Sequence, residues 1–105
     1  MGSDMNKITV LAGKTMKVDI TDCVVDLAIS VGDLLYKINN NDIIIIEDFS
    51  EEEYEELKIL LKGALKAGKT VIMYSPDNDE KVTGLADEME LPIYMYKDEV
   101  ESLIK

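Results

Sequence analysis

The chain has 105 residues, enough for one hydrophobic core and too few for two domains of ordinary size. Its 22 acidic residues against 11 basic ones, all of them lysine, give a formal net charge of -11, which argues against direct nucleic-acid binding and against docking on an anionic membrane. With no histidine and a single cysteine, it lacks Ser-His and Cys-His nucleophile pairs, the usual nitrogen and sulfur zinc sites, and any intrachain disulfide.

The apolar share of 47% and charged share of 31% are those of a folded globular chain. Met1 to Asp4 read as a vector-derived remnant, and residues 5–105 as a single domain. Strand-length apolar runs alternate with segments of helical period, so the expected fold is α/β, a mostly parallel sheet of about five strands flanked by helices. The first strand is expected in "KITVLAG", Lys7 to Gly13, followed by a turn at Gly13-Lys14 and a short extended piece in "MKVDIT". "CVVDLA" reads as the second strand, with Cys23 a small buried hydrophobe; its lone thiol suits a reducing cytoplasm, the expected location.

Ser30, three residues before Asp33, predicts a capped helix from Val31 to Ile38 that closes at the triplet Asn39 to Asn41, where asparagine tolerates a left-handed turn. "DIIIIE" then reads as a strand buried on both faces. Ser50 and Glu53 repeat the capping signal ahead of a helix that Gly68 ends. On that helix Tyr54, Leu57, Leu61, Ala64 and Leu65 are expected on the buried face, and Glu55, Lys58 and Lys62 on the solvent face. "TVIMY" is the next strand, and Asp77 is expected to cap a helix bearing Val82, Leu85, Ala86 and Met89. "LPIYMY" is the expected last strand, with Tyr94 and Tyr96 on one face, and Asp98 is expected to cap a closing helix. Met73, Met89 and Met95 read as core filler. No apolar run approaches the ~20 residues of a membrane span.

In an open parallel sheet, ligands bind beyond the carboxyl ends of the strands. Those ends here carry Gly13-Lys14, Glu47-Asp48, Ser75 to Asn78 and Tyr96-Lys97. Glu47, Asp48 and Asp77, with Asp79 beside them, are the candidate ligands for a hard cation such as magnesium, which takes oxygen donors. Adjacent strand residues point to opposite faces, so Glu47 and Asp48 could meet on one ion only past the strand's end. Lys14, Ser75 and Asn78 are the candidates for binding a cofactor at the same rim. The stretch "AGKT", Ala12 to Thr15, lacks both the glycine-rich cradle and the following helix of a phosphate-binding loop.

Across roughly 90 residues the order "VLAG", "MKVDITD", "VVDL", "NNNDIIII" and "VIMYSPDNDEKVTGLADEMELPIYMYKDEVESLI" resembles the DRTGG domain and the N-terminal domain of HPr kinase/phosphorylase. Ile20-Thr21, Val25 to Leu27, Asp42, Leu85-Ala86 and Leu91-Pro92-Ile93 stand at matching positions. Lys17-Val18 replace the eponymous Asp-Arg, Asp22 replaces a glycine, and the glycine pair expected near Ser75 to Asp77 is absent. The resemblance therefore implies a fold and a general role, and no site: a non-catalytic regulatory or protein-interaction module, self-associating as a homo-oligomer, open to a small-molecule ligand and needing no cofactor. The alternatives are a small metal- or nucleotide-binding protein using the strand-end carboxylates, and an acidic mimic of nucleic acid that inhibits a DNA-binding enzyme.

Overall fold

The computed structural model describes residues 6–13, 16–20 and 23–104, and along them strands and helices alternate. Strand β1 (Asn6–Leu11) and strand β2 (Cys23–Ala28) are followed by helix α1 (Val31–Lys37) and strand β3 (Ile43–Ile46). Helix α2 (Tyr54–Lys66), strand β4 (Thr70–Tyr74), helix α3 (Glu80–Glu88), strand β5 (Ile93–Tyr94) and helix α4 (Lys97–Ile104) complete the order. The five strands form one all-parallel sheet in the order β2-β1-β3-β4-β5, with Val10 beside Ile45 and Ile45 beside Ile72 at its centre.

The isoleucine run exists because both faces of β3 are covered. Ile44 and Ile46 join Leu11 and Met73 beneath α1, α2 and α3, against Leu34, Leu57, Leu61 and Leu85. Ile45 joins Val10, Ile72 and Tyr74 on the other face, under Val100 and Ile104 of α4 and under Val18 and Ile20. The division follows from chain direction. Parallel strands are joined by right-handed crossovers, and β1 to β2 steps across the sheet opposite to every later connection. That first crossover therefore lies on the α4 face, and its described part, residues 16–20, is neither helix nor paired strand.

Several local expectations give way to tertiary contacts. Ser30 does cap α1, its Oγ accepting from the Asp33 amide at 3.1 Å, but the helix closes through a 3₁₀ turn at Ile38–Asn40, and Asn41 is extended at φ -133°. Asn41 instead donates its side-chain amide to the Lys37 carbonyl at 3.0 Å. Ser50 makes no capping bond; a 3₁₀ turn, Glu51–Glu53, precedes α2, and Glu53 accepts from the Val31 amide at 3.1 Å, across the gap to α1. Gly68 ends the helical segment with φ 87°. Asp79, and not Asp77, caps α3, accepting from the Lys81 amide at 2.8 Å. Asp98 lies inside the first turn of α4, which is closed by the Tyr96 carbonyl.

The helix faces also differ from simple periodicity. Leu65 is 37% exposed, whereas Lys58 lies with its stem packed down beside Tyr54 and Glu88. β5 pairs over two residues only, so Met95 and Tyr96 leave the sheet and stand exposed while Met73 is fully buried. Cys23 is half-buried against the α4-side core, as edge strand β2 has one neighbour only.

Candidate functional site

The strand order reverses direction between β1 and β3, and the crevice beyond their carboxyl ends is where ligands bind in sheets of this order. The backbone is tight there. The Glu47 and Asp48 amides both donate to the Leu11 carbonyl, at 2.8 and 3.3 Å, and a Cβ on Gly13 would stand 3.3 Å from an Asp48 carboxylate oxygen. Glycine is the residue that fits so close an approach. Lys14 lies outside the described residues.

From this junction the two acidic side chains diverge. Glu47 is 3% exposed and turns to the α4 face, where Oε1 accepts from the Val18 amide at 2.6 Å and Oε2 from the Lys17 amide at 2.8 Å. Burial pushes its carboxyl above the ordinary value, and the two amide donors pull it partly back. Asp48 turns to the helix face, where Oδ1 accepts from the Phe49 amide at 2.8 Å and pairs with the Lys81 ammonium at 3.0 Å. Lys81 also donates to the Phe49 carbonyl at 2.9 Å and sits over the Phe49 ring, and its bond to Asp48 raises its pKa.

The third carboxylate, Asp77, is exposed and pairs with Lys17, an interaction that raises the lysine's pKa. Glu47 and Asp77 thus hold the same crossover segment from two sides, one through its backbone and one through a side chain. Tyr74 is buried beside them, and that burial raises its phenol. Ser75, also buried, accepts from the Asp79 amide at 2.6 Å, and its carbonyl accepts from the Asn78 amide at 3.2 Å. Asn78 takes the left-handed conformation, φ 54°, that this turn requires. Among the described residues no group of three carboxylate, histidine or cysteine side chains could hold a metal ion.

An open cleft of about 440 Å³ lies beside this rim, lined by Glu51, Tyr54, Glu80, Lys81 and Gly84. Tyr54 donates its hydroxyl to Glu88, which pushes the phenol up to about 12.

A second feature, an apolar one, was not singled out by sequence reasoning. Between α1 and α2, Leu35, Ile38, Ile59, Leu60, Gly63 and Ala64 line a groove of about 330 Å³, and a second hollow of about 270 Å³ shares Leu35, Ile59 and Leu60 with it. Ile59 is 69% exposed, Leu35 57%, and the adjacent Tyr36 83%. The available signal was Ile59 itself, which stands half a helical turn away from the buried stripe of Leu57, Leu61 and Ala64.

These features define an all-parallel, doubly wound α/β domain in which residues 16–20, neither helix nor paired strand, cover the sheet where a first helix would otherwise lie. Comparison with protein-family models, with curated proteins and with solved structures found no match to this chain.

Proposed function

We propose that the protein is a non-catalytic regulatory and interaction module, similar in plan to a stand-alone DRTGG domain, that works by self-association. The observation that supports this reading is the apolar groove between α1 and α2, where Leu35 and Ile59 meet solvent, with exposed Tyr36 next to Leu35 in the chain, on a protein otherwise dominated by acids. A contiguous exposed apolar patch with a polar rim is the mark of an interaction surface. The strand-end carboxylates fit the same reading, because Glu47, Asp48 and Asp77 are spent on backbone amides and lysines that hold the fold.

A ligand-sensing role is the second reading, supported by the cleft at Glu51, Tyr54 and Lys81 on the strand-end side. Light scattering separates the two. The wild-type chain is expected to exceed its 11.8 kDa protomer mass, and Ile59→Lys to return it to that mass with an unchanged circular dichroism spectrum. A wild-type protein that stays at protomer mass at every concentration would refute the self-association reading.

A further inference from the structure

We infer that the partner of the groove is a second copy of this chain, docked with its α2 antiparallel to the first about a two-fold axis near Leu61. The inference rests on the self-association reading above and specifies its geometry. Its basis is the segregation of charge along one helix. The turn and first residues of α2, Glu51 to Glu56, hold five glutamates, whereas Lys58, Lys62 and Lys66 follow within the helix and Lys69 just beyond it, four of the eleven lysines in the chain.

An isologous contact brings each residue against the mirror position of the same helix. With the axis near Leu61, Ile59 of one copy meets Gly63 of the other, and Glu56 meets Lys66. The four residues share one side of α2: at 100° per residue, Ile59 and Gly63 lie about 20° on either side of a common direction and Glu56 and Lys66 about 40° on either side. All four are exposed. A Cβ on Gly63 would meet nothing within 4 Å inside its own chain, so the notch that receives Ile59 is open. No salt bridge among the described residues uses Glu56 or Lys66.

A partner for this face must offer an apolar knob flanked by a cation and a carboxylate ten positions apart on a reversed helix, and α2 itself offers them. A standard interface takes about 800 Å² from each partner, about an eighth of the 6134 Å² surface. One helix is too narrow for that, so Leu35 and Tyr36 of α1 are drawn into the contact beside it.

The test is zero-length carbodiimide cross-linking of the full chain, with peptide mapping of the dimer band. Glu56 and Lys66 are about 15 Å apart along their own helix, too far for a direct amide bond, so a Glu56–Lys66 link can form only between copies. That link is expected. Glu56→Lys and Lys66→Glu are each expected to weaken dimerisation about tenfold, and the double variant to restore it to within about threefold. Gly63→Leu is expected to abolish the dimer and, at dilutions where wild type too is a monomer, to raise the thermal midpoint, because a helix-favouring residue replaces an exposed helical glycine. A dimer that lacks the Glu56–Lys66 link, or that ignores the charge swap, would overturn this geometry and leave self-association standing through another face. A chain that never dimerises would overturn both.

Discussion

Replacing Glu47 by glutamine tests whether this buried acid is a fold clamp. The substitution keeps the size of the side chain and one acceptor oxygen, but it sets an NH₂ against one of the two backbone amides, of Lys17 and Val18, that the carboxylate now receives. A hydrogen bond to a charged group contributes about 1.5–3 kcal/mol, and relief of the burial penalty on the ionised carboxylate offsets part of its loss. A net destabilisation of about 1–2 kcal/mol is therefore expected at neutral pH, which for a domain of this size lowers the thermal midpoint by roughly 4–16 °C. Hydrogen exchange should quicken at the Lys17 and Val18 amides.

The pH dependence carries a definite sign. The folded-state pKa of Glu47 lies above its ordinary value of 4.5, so between those two values the folded state binds more protons than the unfolded one. The proton-linked part of Glu47's contribution is therefore absent above the folded pKa and fully present below 4.5, added to whatever its hydrogen bonds contribute at neutral pH. Glutamine does not titrate, so the stability gap between wild type and variant must widen on acidification through this window. Melting curves at several pH values measure it, and an unchanged midpoint at neutral pH, or a gap that narrows with acid, would refute the clamp.

Two further outcomes follow from local geometry and charge. Ser30→Ala should lower stability by about 1 kcal/mol in chemical denaturation because it removes the acceptor for the Asp33 amide, whereas Ser50→Ala, which removes no capping bond, should fall within about 0.5 kcal/mol of wild type. Magnesium should leave the thermal midpoint unmoved, since Asp48 and Asp77 are paired with lysines and Glu47 with amides; a reproducible rise would make the rim a metal site by mass action.

The architecture was legible where the signal is local or periodic. Four consecutive isoleucines can satisfy two apolar faces at once, and Ser30 reaches an amide only three residues away. The site was less legible because its bonds are made at long range. Glu47 finds its partners 29 and 30 residues back, and Asp48 finds Lys81 33 residues on. The same distance effect explains the capping exchange at α2, where Glu53 was free to reach across to Val31. Periodicity placed Leu65 inside because it sees only the helix, whereas exposure depends on where the neighbouring helices stop.

The most direct measurement of the central claim is a dilution series of backbone amide spectra on the ¹⁵N-labelled chain. Self-association through the α1–α2 groove predicts concentration-dependent shifts at Leu35, Tyr36, Glu56, Ile59, Gly63 and Lys66, with the strand-end residues Glu47, Asp48 and Asp77 unmoved. Spectra independent of concentration, or shifts gathered at the strand ends, would contradict it.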